Sequence, residues 1–290
     1  MFRNLVFVFS NWLVFSGLGL ANDGAAPFAP RVYAFCVEAG VPGVTPRPAP
    51  EMAKLLRELG FDGVGCSNST DPKLDEVLHA YDEASLQVDL LETVVNVDPS
   101  APAAYDARLP GAIRKLKGRS TTVVVILRGL KPGDPAGMAP AVRALRELGD
   151  VAAEAGVRVS IYNHTGDWSE SVAFCTDLVK KVDHPRVGFN FNVCHWLKVE
   201  GSKDYRPLLR ANAAKLFCVT TCGAQIGSQT WTNGLIQPLD RGDFDNRALL
   251  ATLREIGYHG PVGIMCYGIP GDPREYLTRS MKAWKAWTTQ

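Results

Sequence analysis

The stretch Leu145-Arg146-Glu147-Leu148-Gly149-Asp150-Val151-Ala152-Ala153-Glu154-Ala155-Gly156-Val157-Arg158-Val159-Ser160-Ile161-Tyr162 holds two periodicities back to back. In its first half Leu145, Leu148, Val151 and Ala152 recur at helical spacing and fall on one face. Gly156 then closes the helix, because glycine readily takes the left-handed conformation found at helix C-termini. The remainder, Val157–Tyr162, is apolar and rich in β-branched residues, the mark of a strand. A helix feeding a mostly apolar strand through a single glycine belongs to an α/β chain with a parallel sheet.

The same unit recurs on both sides of it. Apolar, β-rich runs lie at Arg31–Val37, Gly60–Cys66, Gln87–Val95, Thr121–Leu127, Val157–Tyr162, Arg186–Val193, Leu216–Thr221 and Pro261–Tyr267. They are nearly continuous in apolar residues, as strands covered on both faces are. Helical periods separate them, as in Met52-x-x-Leu55-Leu56-x-x-Leu59 ahead of Gly60. Asp71-Pro72 and Asp272-Pro273 read as helix starts, with Asp as the cap and Pro in the first turn. Eight strands alternating with eight helices predict a single (β/α)8 TIM barrel. An open doubly wound sheet would carry a Gly-rich phosphate turn after its first strand, and Cys36-Val37-Glu38-Ala39-Gly40 is not one. No linker or compositional shift divides residues 22–290, so one barrel domain is expected there.

Composition narrows the function classes. Of 290 residues, 31 are Lys or Arg and 30 Asp or Glu, for a net charge of +1. That balance excludes a disordered or collagenous chain and offers no field for nucleic acid or anionic lipid. Arg3 followed by an apolar run from Leu5 to Leu20, broken by Ser10, Asn11 and Ser16 and ending Gly19-Leu20-Ala21, reads as a cleavable signal peptide over residues 1–21. The run is short and interrupted for a membrane anchor, so the expectation is an exported protein, periplasmic or secreted, with no stable membrane association after cleavage. Seven cysteines, at 36, 66, 175, 194, 218, 222 and 266, cannot all pair within one chain. Most sit in strand-like runs and read as buried small hydrophobes. A bridge between neighbouring strands, for example Cys194 with Cys222, is one arrangement open to them.

Chemistry in such barrels sits where strands end and the following loops begin. Strand one offers Glu38, strand two Asn68, strand three Glu92 and strand four Arg128. Strand five ends in Tyr162-Asn163-His164 and strand six in Asn192-Val193-Cys194-His195. Strand seven offers Thr220 and Thr221, and strand eight Met265, Cys266 and Tyr267.

Four stretches of the second half carry a resemblance: Ile161-Tyr162-Asn163-His164, Val187-Gly188-Phe189-Asn190-Phe191-Asn192-Val193-Cys194-His195, Gln237-Pro238-Leu239-Asp240-Arg241-Gly242-Asp243-Phe244-Asp245 and Gly257-Tyr258-His259-Gly260-Pro261-Val262. In order and spacing they resemble xylose isomerase-like barrels of the sugar phosphate isomerase/epimerase type. The first half matches in strand–helix order only. The resemblance implies a divalent metal held by Glu, Asp, His and Glu at the ends of strands five to eight, with the two glutamates moving the proton beside a sugar carbonyl. Carried over, those places fall on Tyr162, Asn192, Thr220 and Met265. Neutral amide and hydroxyl oxygens and a soft thioether are a poor set for Mg²⁺ or Mn²⁺. A degenerate metal site is therefore expected, with no cofactor predicted. A divalent ion (Mn, Mg or Zn) on relocated ligands Glu38, Glu92, His164 and His195 stands as an alternative.

What remains at the rim is polar and almost uncharged. His164 and His195, at positions the family also fills with His, are candidates for general acid–base work, and Glu38 for the missing base. Asn163, Asn192, Arg128 and Glu92 are candidates for substrate binding, although Glu92 beside Arg128 also reads as a structural pair. Of Trp168, Trp196 and Trp231, all in expected loops, one is expected to face a sugar, with Trp196 the candidate. Asp167 with Glu170 three residues on has the spacing of a helix N-cap. Trp284 and Trp287 read as core. With no phosphate cradle in sight, the expected ligand is a small neutral carbohydrate or keto-sugar. A sugar isomerase/epimerase-like enzyme is favoured, with lyase chemistry, a non-catalytic sugar-binding barrel and a metal-dependent isomerase as alternatives. Oligomeric state is not legible.

Overall fold

The computed structural model describes residues 28–67 and 69–288. The expected signal peptide and Asn68 lie outside the described residues. Eight strands appear, each within two or three residues of its expected place: β1 (Val32–Phe35), β2 (Gly63–Cys66), β3 (Gln87–Asn96), β4 (Thr122–Arg128), β5 (Arg158–Ile161), β6 (Val187–Asn192), β7 (Leu216–Thr221) and β8 (Val262–Met265). They pair in parallel in chain order, and β1 closes on β8 with Val32 opposite Val262 and Phe35 opposite Met265. The result is the closed (β/α)8 barrel that the alternation requires.

Among the described residues the outer layer is built from α1 (Ala49–Leu59), α2 (Leu74–Glu83), α3 (Leu109–Arg114), α4 (Met138–Ala155), α5 (Val172–Val182), α6 (Val193–Glu200), α7 (Arg206–Ala211), α8 (Asn246–Glu255) and α9 (Pro273–Thr288). Amphipathic spacing decides which face each turns inward. α1 buries Met52, Ala53, Leu55 and Leu56 and ends at Gly60, which sits at φ 83°. α4 buries Leu145, Leu148 and Ala152 and ends at Gly156 in the same conformation. Asp272 accepts from the Arg274 amide at 2.9 Å just ahead of α9, as its Asp-Pro spacing suggests. Asp71 behaves differently. It closes a local turn by accepting from the Lys73 amide at 2.8 Å, and α2 begins only at Leu74.

Two departures from a plain eight-helix layer shape the mouth. The connection after β6 carries both α6 and α7, and the connection from β7 to α8 runs through residues 222–245 as a folded loop. Backbone pairs Gly223–Gln237 and Gln225–Gly234 brace that loop, bringing its tip over the barrel.

Both faces of β4 are apolar, with Val123, Val124, Val125 and Leu127 all fully buried. A polar exception is Asp89 on β3. It is 1% exposed, its partner is Arg31, and a side chain at Gly63 on β2 would collide with its carboxyl group. The second oxygen of Asp89 has no partner among the described residues. Burial therefore pushes its pKa up to about 7, against the pull of Arg31. The folded chain holds a proton that the unfolded chain, with a carboxyl near ~4, has released. This group's contribution to stability must then fall as pH rises from about 4 to about 7. Asp89→Asn removes that dependence: in thermal melts the variant should gain on the wild type as pH is raised through this window. A gap that is constant or closes with rising pH would contradict it.

Candidate active site

At the C-terminal ends of the strands lies a cavity of about 440 Å³, lined by residues from β3, β4 and β8 and from the loops after β1, β2, β5, β7 and β8, with His195 from α6. Its acid–base groups are Glu92, Arg128, His164 and His195; its apolar walls are Ile126, Ile236, Met265, Trp231 and Tyr267.

The cavity is floored by Tyr162 and braced by Asn192. Tyr162 is 1% exposed, and its hydroxyl accepts from the Asn192 side-chain amide at 2.6 Å. The Asn192 side-chain oxygen accepts from the backbone amide of His195 at 3.3 Å and from the Cys194 thiol at 2.9 Å, so Asn192 caps α6 as well. Asn163 grips the Asn192 backbone from the other side, donating to its carbonyl at 3.2 Å and accepting from its amide at 2.9 Å. Asn163 and Asn192 are both fully buried. Their hydrogen-bonding capacity goes to holding β5, β6 and the start of α6 together.

Two histidines stand above this floor with ring centroids 4.3 Å apart, and Tyr162 meets both edge-on at 5.6 and 5.5 Å. Their roles differ because their partners differ. His195 Nδ1 accepts from the Thr165 backbone amide at 3.1 Å, which leaves the ring proton on Nε2 as a donor. Burial, reinforced by His164, drives its pKa well below the usual imidazole value, so it is neutral. His164 Nδ1 lies 2.7 Å from an Asp167 carboxylate oxygen. This is an ion-pair contact that places a negative charge beside the ring, without the alignment of a hydrogen bond.

Sequence spacing explains how Asp167 reaches its histidine. The Asp167 amide donates to the His164 carbonyl at 3.1 Å, and Gly166 sits at φ 83° in the third place of the turn. That is a type II turn, which needs a residue tolerant of positive φ there. Arg128 adds a second contact to the same carboxylate at 3.1 Å. Burial raises the Asp167 pKa, but His164 and Arg128 together hold it below the ordinary range. The N-cap role expected of Asp167 belongs to Ser171, whose hydroxyl accepts from the Phe174 amide at 3.4 Å, while Glu170 accepts from the Gly166 amide at 2.9 Å.

Glu92 is the unspent acid. It is half-buried on β3 and lines the cavity, and its carboxyl group has no hydrogen-bond partner among the described residues. Desolvation raises its pKa, partly offset by His164 and Arg128. Since Arg128 pairs with Asp167, the expected Glu92–Arg128 structural pair is not formed at contact distance.

Four sequence candidates lie away from the cavity lining: Asn163 and Asn192, expected to bind substrate but buried and spent on structural hydrogen bonds, and Glu38 and Trp196. Glu38, expected as a base, adopts φ 60° at the turn after β1 and is engaged by Arg47. It accepts from the Arg47 backbone amide at 2.8 Å and from its guanidinium at 2.6 Å. These bonds, against the opposing effect of burial, hold its carboxyl below the ordinary range. Trp196 is 4% exposed and packs on Phe191 with centroids 5.7 Å apart, because the α6 periodicity turns it inward. Trp168 is fully buried, and its indole N–H donates to the Asp134 carbonyl at 2.7 Å. The tryptophan at the cavity is Trp231, on the folded loop after β7, with its ring 5.1 Å from that of His195. Thr232 beside it donates to the Gly268 carbonyl at 3.1 Å, tying this loop to the one that carries Tyr267.

At the four positions where the resemblance implies metal ligands, the donors are a poor set for a hard divalent ion. Tyr162 and Asn192 are bonded to each other, Met265 offers a thioether, and only the buried hydroxyl of Thr220 is without a partner among the described residues. Elsewhere among the described residues, no three His, Cys, Asp or Glu side chains converge as a ligand set.

The family model described as xylose isomerase-like TIM barrel matches residues 53–287. No curated protein matches the chain by sequence. Among solved structures, the D-allulose 3-epimerase of Methylomonas sp. superposes with a TM-score of 0.69 at 15% identity, covering 90% of this chain and 99% of its own. The 3-keto-D-glucoside 4-epimerase of E. coli gives 0.66 at 18% identity, covering 88% and 98%. An L-ribulose 3-epimerase gives 0.69 at 14%, covering 90% and 95%. At such identities the likeness is one of fold.

The neutral state of His195 is directly measurable. Because the unfolded chain takes up a proton on this side chain below about pH 6.5 while the folded ring stays neutral, its contribution to stability declines as the solution is acidified past that point. In ¹⁵N-histidine NMR of the folded protein, His195 should keep the Nε2–H tautomer pattern at about pH 5.5. An imidazolium signal at that pH would contradict the assignment.

Proposed function

The chain belongs to the xylose isomerase-like TIM barrel family, and from that premise we propose that it is a sugar isomerase/epimerase-like enzyme acting on a neutral sugar or keto-sugar by proton transfer between its own side chains. The observation that carries this reading is the unpaired, half-buried Glu92 facing the same cavity as the Asp167-paired His164. The family's four-ligand site supplies a Lewis acid beside the sugar carbonyl. Since the residues at those positions here do not suit a hard cation, no step is routed through one.

The chemistry needs a base for the C–H proton beside a carbonyl, a donor to return it, and positive charge for the developing enolate oxygen. The Glu92 carboxylate removes the proton, and a protonated His164 returns one from the other side, inverting the carbon. Solvent then restores both groups for the next turnover. Arg128 and the Nε2–H of His195 stabilise the enolate oxygen. Trp231 and Tyr267 provide aromatic faces against which the apolar face of a sugar ring packs. Arg128 is the one Lys or Arg side chain among the cavity's lining residues and is already shared with Asp167, which favours a neutral substrate over a phosphorylated one. The run Leu5–Leu20 and Ala21 point to export, with the mature chain starting at Asn22.

The test is exchange of the carbon-bound proton. Neutral ketohexoses and 3-keto-glucosides are incubated with the protein in D₂O and followed by NMR. Wild type should incorporate deuterium beside the carbonyl, with the rate falling on acidification through a pKa above the ordinary carboxylate range, as the raised Glu92 requires. Glu92→Gln should lose on the order of 10²-fold or more and Asp167→Asn about 10-fold, with sugar binding retained in both. Binding without exchange in the wild type would contradict the enzyme reading and favour a sugar-binding barrel. Trp231→Ala separates the platform from the chemistry: it should weaken sugar binding at least ~5-fold by calorimetry while leaving the fold intact.

A further inference from the structure

Seven thiols stand in the structure, and two of them meet. Cys194 opens α6 two residues beyond Asn192, and Cys222 lies two residues beyond Thr220; Asn192 and Thr220 are themselves register partners on β6 and β7. The two cysteines therefore leave adjacent parallel strands side by side, with Cys222 near enough to join burial in raising the pKa of the Cys194 thiol. Both are fully buried. Each thiol also has an acceptor of its own: Cys194 donates to the Asn192 side-chain oxygen at 2.9 Å and Cys222 to the Leu235 carbonyl at 3.2 Å. Two other buried thiols have partners of their own. Cys266 donates back along its own strand to the Ile264 carbonyl at 3.4 Å, and Cys218 contacts the Tyr33 hydroxyl at 3.2 Å.

We propose that Cys194 and Cys222 are a disulfide site, closed when the chain folds in the presence of a disulfide-class oxidant. The thiolate of one cysteine attacks the oxidant to give a mixed disulfide and release one thiol. The thiolate of the other displaces the second, forming the Cys194–Cys222 bond. Two electrons and two protons pass to the oxidant. Because both sulfurs are buried in the native state, closure belongs to folding rather than to the finished protein.

What the bond joins gives it meaning. One end is the start of α6, which carries His195; the other is the root of the loop that carries Trp231 and Ile236. A covalent link there fixes the distance between two walls of the cavity, exchanging two S–H hydrogen bonds for one constraint on the unfolded chain. The inference stands on register and contact and does not depend on the reaction proposed above.

The test is refolding of the full chain from denaturant in a glutathione redox buffer and, separately, in reductant, followed by mass spectrometry and non-reducing peptide mapping. The oxidised sample should be lighter by two hydrogens, with peptides containing Cys194 and Cys222 linked and five thiols still free to alkylation once denatured. Its melting temperature should exceed that of the reduced sample by about 5 °C, a difference that Cys194→Ser abolishes. The same linked peptide should appear in protein directed to an oxidising compartment behind a standard export leader, which covers the case of poor refolding. Seven free thiols, or a dominant bridge between any other pair, would overturn the proposal.

Discussion

The side-chain amide of Asn192 is the constraint on which the mouth of this barrel depends. Its nitrogen holds the Tyr162 hydroxyl at 2.6 Å, while its oxygen accepts from the His195 amide and the Cys194 thiol. One fully buried group thus sets the cavity floor, starts α6 and fixes the approach of His195. A buried amide with all its partners made is rigid, and leaving any of them unpaired costs about 1–3 kcal/mol. Asn163 doubles the effect by clamping the Asn192 backbone. The β5–β6 edge is thereby committed to structure.

The cavity's charged and acid–base groups stand instead on β3, β4 and the turn after β5. Glu92, Arg128 and His164 converge there, with Asp167 paired to both the histidine and the arginine. The electrostatics separate the groups by task. Burial raises Glu92, lowers His195 and leaves Asp167 ionised because two positive or proton-bearing partners face it. Acids and imidazoles pushed apart in this way are what proton transfer near neutral pH requires. The opposite wall is apolar and aromatic, so the cavity has a reactive side and a packing side.

The fold was legible because parallel strands buried on both faces leave continuous apolar runs, and glycines 60 and 156 mark where helices stop. The cavity lining was legible only where it follows from strand ends, as for Glu92, Arg128, His164 and His195. Glu38 sits at a strand end too, but Arg47, nine residues on, takes both its oxygens. Asp167 was obscured by a local pattern, since Asp with Glu three residues later reads as a cap, whereas its partner Arg128 is 39 residues away in sequence. The signal that could have found it is Gly166, whose place in His164-Thr165-Gly166-Asp167 suits the third residue of a type II turn. Trp196 and Trp231 are both loop-adjacent in sequence. Only the helical phase of α6 and the brace Gly223–Gln237 decide which one reaches the cavity.

We propose that hydrogen bonding between Tyr162 and Asn192 stands where the resemblance implies metal ligation at the mouth. Calorimetric titration of the chain from Asn22 with Mn²⁺ and Zn²⁺ tests it most directly. The expected outcome is no one-to-one binding in the micromolar range. Tight one-to-one binding that is lost in Asn192→Ala or Thr220→Val would show that these residues still hold an ion and would contradict the account.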